Sequence, residues 1–286
     1  MGDYFEGNSM WRWGLLLLLS LTSAAVLASD LLQEQKNAIE IKESLVVGKA
    51  VSLKAGDQEF LAIHGESDAA EPKGAVILLH GVGGNPAWSP VVQPLRLGLP
   101  EHGWEILSLQ MPVAPTGAAG WAYDSLIPEA VPRITAAIEF LKQREIEKVV
   151  LVGHSMGARM GLEAMAANTP KEVIAFVAVG TPTKTEDPEA GVLGALQKIK
   201  LPILDIYGSR DLSSVLDSVK ERLRAARKSE SGSYQQLEIA GADHFFLGLE
   251  DSLLARVRAW IGKQATQVAE ETKEKPEGDK QQKKDN

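Results

Sequence analysis

The sequence predicts an α/β fold: a mostly parallel central sheet with helices on both faces and an antiparallel hairpin at its N-terminal edge. Three observations carry this. Apolar, β-branched runs recur along the chain, at Ala75-Val76-Ile77-Leu78-Leu79, Glu105-Ile106-Leu107-Ser108-Leu109, Val149 to Val152, Val173 to Val179 and Pro202 to Tyr207. Runs of this kind suit parallel strands covered on both sides. Stretches with helical spacing alternate with them, the pattern of consecutive βα units. Finally, the run ending at Val152 passes through Gly153-His154-Ser155-Met156-Gly157 straight into a stretch of good helix formers, Ala158 to Ala166.

Residues 1–28 read as a signal peptide. Trp11-Arg12-Trp13 precedes the apolar stretch Leu15 to Leu21, and Val26-Leu27-Ala28 places small residues at the cleavage-determining positions. Cutting is therefore expected before Ser29. The apolar stretch is shorter than the ~20 residues of a spanning helix. Asp3 and Glu6 are unusual ahead of such a stretch, and Met10 offers an alternative start. Residues 29–48 are polar and are expected to be loosely ordered.

The globular domain is placed at 49–262. It begins with a hairpin in which Val51-Ser52-Leu53 and Glu59 to Ile63 flank Ala55-Gly56-Asp57-Gln58. Ser89-Pro90 reads as a helix cap followed by proline at the first helical position, and Gly103 as the stop after that helix. Val131, Ile134, Ile138 and Leu141 form one helical face, and Leu249, Leu253, Val257 and Trp260 another. A last strand is expected at Gln236 to Ile239. Residues 263–286, rich in lysine and acids, are expected to be a disordered tail.

The chain has 286 residues, a net charge of −8 and no cysteine. An acidic chain offers no nucleic-acid footprint. The absence of cysteine removes disulfides, thiolate nucleophiles and thiolate metal sites. The five histidines are scattered without metal-ligand spacing, so no metal site is expected. A secreted chain without cysteine points to a bacterial periplasm, with no stable membrane span after signal cleavage.

The chemistry is carried by the turn at Ser155. Strand, G-x-S-x-G, helix is a nucleophile elbow, so tight that only small residues fit two positions either side of the serine. A serine hydroxyl needs an imidazole to take its proton, and that imidazole needs a carboxylate to fix its tautomer. His244 is the only histidine after Ser155. Asp211, just past the strand ending near Tyr207, is the expected acid. Asp205 falls inside that strand, Asp243 adjoins His244, and Asp187 follows the preceding strand as an alternative.

Met156 N–H, at the start of a helix, is one expected oxyanion donor. The second is expected from His80-Gly81-Val82-Gly83-Gly84, with Val82 N–H first and Gly83 next. His80, Gly81, Gly83, Gly153 and Gly157 are read as supports of loop and elbow, and His154 as packing. Trp121 and Tyr123, in a proline- and glycine-punctuated stretch, are candidate walls for an acyl group, with core or surface packing as the equal alternative. About twenty residues separate Gly180 from Pro202, too few for a large cap domain.

Residues from about 58 to 262 resemble the α/β-hydrolase superfamily. Leu78-Leu79-His80-Gly81, Pro94-Leu95-Arg96 with Gly103-Trp104, Leu107 to Pro112 and Val152-Gly153-His154-Ser155 are similar to a bacterial envelope family of unknown function within it. The superfamily resemblance implies ester, thioester or amide hydrolysis through an acyl-enzyme, without a cofactor. This chain lacks the HGGG form of the oxyanion loop. The expected function is that of a secreted serine hydrolase acting on a small-molecule or acylated envelope substrate. The alternative is an inactive, hydrolase-like binding or scaffold protein. Oligomeric state is not legible in the sequence.

Overall fold

A computed structural model describes residues 29–118, 120–183, 191–229 and 233–274. The expected signal peptide lies outside them, as do residues 275–286 of the charged tail. Eight strands form one sheet: β1 Lys49–Ala55, β2 Gln58–Gly65, β3 Gly74–Leu79, β4 Trp104–Leu109, β5 Val149–His154, β6 Val173–Val179, β7 Ile203–Arg210 and β8 Tyr234–Asp243. Their spatial order is β1-β2-β4-β3-β5-β6-β7-β8. β1 and β2 form the antiparallel hairpin, β2 also runs antiparallel to β4, and every later pairing is parallel.

The central strands alternate between two cores because successive side chains of a strand point to opposite faces. Ile77 and Leu79 of β3 join one cluster, against Ile134 and Leu141 of α3 (Ile127–Lys142) and Met160 and Leu162 of α4 (Met156–Ala167). Val76 and Leu78 join the other, against Leu95 of α2 (Val92–Gly98) and Leu253, Val257 and Ile261 of α8 (Glu250–Glu274). α5 (Gly191–Lys198) and α7 (Val219–Ala226) complete the first layer, and the short α6 (Ser213–Leu216) follows β7.

The expected helix cap at Ser89 moves: α2 begins at Val92 with Val91 as its cap and no side-chain hydrogen bond there. Two larger expectations are corrected. Residues 29–48 are not loose, because α1 (Leu31–Ser44) is capped by the Asp30 carboxylate, which accepts from Gln33 N–H at 3.0 Å. Ile41 packs on Leu61 and Ile63, while the other buried side chains of α1 are Glu34 and Asn37, held by polar partners. The first part of the tail is also ordered. α8 continues to Glu274, since residues 263–274 are good helix formers and Ala265 extends the apolar stripe into the core.

Candidate active site

β5 ends at His154 and α4 begins at Met156, so Ser155 alone makes the turn, at φ 54° and ψ −120°. A non-glycine residue there stores on the order of 1–3 kcal/mol of strain. The flanking glycines are steric necessities. A Cβ on Gly153 would stand 2.5 Å from Ala158 Cα, and one on Gly157 would stand 2.4 Å from the carbonyl oxygens of Leu79 and His80. Met156 is the first helical residue, so its N–H has no acceptor within the helix.

Parallel strands bring the remaining groups to the same edge of the sheet, as open α/β sheets do with their sites. His244 follows the end of β8 and Asp211 the end of β7. His244 Nε2 lies 3.0 Å from Ser155 Oγ, and His244 Nδ1 lies 2.6 Å from Asp211 Oδ1. An ionised carboxylate only accepts, so Nδ1 carries the imidazole proton and Nε2 presents its lone pair to the serine hydroxyl. Burial disfavours the Asp211 charge. The hydrogen bond and charge of His244, with N–H donation from Leu212 and Gly208, outweigh it and hold the carboxyl below its ordinary range. All three residues are buried.

Two of the other candidate aspartates are occupied elsewhere. Asp205 is buried in β7, pairing with Arg222 at 2.7 Å. Asp243 accepts from the Phe245 and Leu247 N–H groups. Asp187 lies outside the described residues.

The loop after β3 is fixed by His80. Met111 N–H donates to His80 Nε2 at 2.9 Å, so Nδ1 bears the proton and donates to Gly81 C=O at 2.8 Å. Burial lowers the His80 pKa to about 4, which keeps this neutral tautomer at neutral pH. Gly83 N–H is already engaged, donating to the Tyr123 hydroxyl at 2.9 Å. Among the described residues nothing accepts from Val82 N–H, and the Val82 side chain is exposed. Tyr123, a candidate acyl wall, is instead buried and braces this loop. The Trp121 side chain lies outside the described residues.

Three contacts at the site carry no sequence signal, since they join residues far apart in the chain. Trp88 stacks on Phe245 at 6.4 Å between ring centroids. The His154 ring lies 4.8 Å from that of His244. Gln110 Nε2 reaches His80 Nε2 at 3.0 Å. A cavity of about 530 Å³, lined by His64, Glu66 and Arg96 among others, opens beside the start of β4 and contains none of the triad residues. Among the described residues there is no cluster of side chains able to hold a metal, and no helix long and apolar enough to cross a membrane.

Residues 22–129 and 122–263 match the family described as "Protein of unknown function (DUF3530)". The chain belongs to this family. No curated protein matches the sequence. Among solved structures, the chain is similar to Est1E from Butyrivibrio proteoclasticus, with 15% identity and a TM-score of 0.61, covering 77% of this chain and 99% of that one. It is similar to a dienelactone hydrolase from Anabaena variabilis at 20% identity and TM-score 0.61, covering 76% and 97%. An esterase of Pyrococcus furiosus aligns at 18% identity and TM-score 0.61, covering 78% and 93%. This member of the family therefore has the α/β-hydrolase fold.

Proposed function

We propose that the protein is a serine hydrolase of the bacterial periplasm that cleaves a carboxylic ester or thioester through an acyl-enzyme. The observation that carries this reading is the unbroken relay from Ser155 Oγ through His244 to Asp211, with contacts of 3.0 and 2.6 Å. In the first step the Ser155 hydroxyl proton passes to His244 Nε2 as Oγ bonds to the acyl carbon. The former carbonyl oxygen becomes an oxyanion held by Met156 N–H and Val82 N–H, each such donor being worth about 3 kcal/mol. Collapse breaks the bond to the leaving oxygen or sulfur, which takes the proton from His244. A water then repeats the sequence on the acyl-enzyme and frees the acid. Asp211 orients the imidazole and stabilises the imidazolium that forms twice per turnover.

The solved structures of this fold include one described as an esterase, from Pyrococcus furiosus, which supports an ester over an amide. Val82, Leu212 and Leu247 are exposed apolar residues on the loops that follow β3, β7 and β8. They suit a partly apolar acyl group at an open rim. Hydrolysis of p-nitrophenyl esters of graded chain length by the secreted protein tests this reading. Turnover that disappears in Ser155→Ala supports it, whereas turnover surviving that substitution at an undiminished rate defeats it.

A further inference from the structure

Ser29, the residue expected to follow signal cleavage, is the first described residue, and it is buried in a polar site. Its backbone N–H donates to Glu129 Oε1 at 3.1 Å, and its hydroxyl donates to Glu129 Oε2 at 2.8 Å. Arg133 Nη2 stands 3.5 Å from the same hydroxyl. Arg133 also forms a buried ion pair with Glu34 at 2.8 Å. The site thus holds two carboxylates, Glu34 paired with the one guanidinium and Glu129 on Ser29, with Asp30 adjacent as the cap of α1. The cluster is short of positive charge. Burial, with the Glu129 charge as a lesser contributor, pushes the Glu34 carboxyl up despite Arg133.

We infer that Glu129 is the receptor for the α-ammonium of Ser29 created by signal cleavage, and that docking there seats α1 beneath the oxyanion loop. Hydrolysis of the Ala28–Ser29 bond by a signal peptidase consumes one water. It leaves a carboxylate on Ala28 and an amine on Ser29, which takes up a proton. The group already 3.1 Å from Glu129 as an amide N–H then becomes a cation, and the hydrogen bond becomes charge-assisted.

From this site a buried polar chain runs to the loop that carries Val82. Asp30 N–H donates to Val113 C=O at 2.7 Å, and Glu34 Oε1 accepts from Val113 N–H at 3.3 Å. Arg133 donates to Gln110 C=O at 2.9 Å, and Asn37 to Gln110 Oε1 at 3.3 Å. Gln110 and Met111 both reach His80 Nε2, and His80 donates to Gly81 C=O. Seating α1 therefore fixes residues 110–113, and these fix the His80 ring. The coupling to catalysis rests on the serine-hydrolase reading; the docking of the N-terminus does not.

The test uses the full chain secreted through its own leader, as wild type, as Glu129→Gln, and with one glycine inserted before Ser29. The insertion moves the new ammonium by one residue, roughly 3.5 Å. Intact mass should show Ser29 as the wild-type N-terminus. Its α-amine should react with an amine-selective acylating reagent about tenfold more slowly than in Glu129→Gln. Labelling of Ser155 by a fluorophosphonate should slow about tenfold in the insertion variant. A different N-terminus, or equal amine reactivity in wild type and Glu129→Gln, overturns the receptor. Equal labelling rates with and without the insertion overturn the seating of the loop. Failure of the wild type to label at all counts against the hydrolase reading, and the amine comparison still decides the receptor.

Discussion

His154 Nε2 donates a hydrogen bond to the backbone carbonyl oxygen of His244 at 3.0 Å, tying the second residue of the G-x-S-x-G turn to the loop that carries the His244 imidazole. The carbonyl can only accept, so the proton on this ring is at Nε2. The imidazole is thus a strut for the His244 loop. His154→Phe keeps a ring and loses the donor. One buried hydrogen bond is worth about 1 kcal/mol, so kcat should fall up to roughly tenfold with KM little changed. Steady-state kinetics on a p-nitrophenyl ester read this, and an unaltered kcat contradicts it.

Acid should unfold the protein through its buried imidazoles. Burial lowers both His80 and His154 to about 4, against an ordinary 6.5. Between those values the unfolded chain binds protons that the folded chain refuses, so stability falls as pH drops through this window and levels off below about 4. Each histidine contributes roughly 3 kcal/mol to the loss. Urea midpoints at several pH values should show the slope, and His154→Phe should remove about half of it. A slope untouched by that substitution refutes the assignment.

The relay should behave as a unit. Ser155→Ala and His244→Ala should each lower kcat by at least about a thousandfold, and the double variant should be no slower than the worse single one. Additive losses in the double variant would show that the two residues act separately.

The elbow leaves no room for a methyl group. Gly157→Ala places a carbon 2.4 Å from two backbone oxygens of β3 and the residue after it. Overpacking of this kind costs about 1–3 kcal/mol or more. Thermal unfolding should register the loss, and an unchanged Tm would mean that the turn relaxes freely.

Asp205 tests a structural role against a catalytic one. Its Oδ2 is 2.7 Å from Arg222 Nε in a buried pair that also joins Gln236. Asp205→Ala strands a buried guanidinium, at a cost of about 3–5 kcal/mol. Denaturation should show that loss. Folded enzyme measured well below its Tm should retain its kcat, whereas a catalytic defect in fully folded protein would assign Asp205 to the chemistry.

The sheet was legible because β3 to β7 are mostly apolar runs, each flanked by helical periodicity. His244 could be singled out for a simpler reason: only one histidine follows the serine, whereas Asp211 is preferred over Asp205, Asp243 and Asp187 by its place just past the end of a strand. α1 escaped detection because most of its buried side chains, Glu34 and Asn37 among them, are polar and satisfied by residues some 70 to 100 positions away, a burial that leaves no apolar stripe. The start of the tail escaped for the related reason that charge composition masked a continuing helical face at Ala265. The sequence does not decide Tyr123 between pocket wall and packing, because an aromatic in a loop shows no sign of its hydroxyl's partner. Backbone donors are invisible to side-chain reasoning, so nothing in the sequence showed that Gly83 N–H, ranked second to Val82, is engaged by the Tyr123 hydroxyl.

The proposed acyl transfer requires Ser155 to be an activated nucleophile, and a fluorophosphonate probe measures that directly. Peptide mapping of the treated wild-type protein should find a single adduct on Ser155, absent from Ser155→Ala and formed far more slowly in His244→Ala. Folded wild-type protein that stays unmodified, or an adduct that maps to another residue, would contradict it.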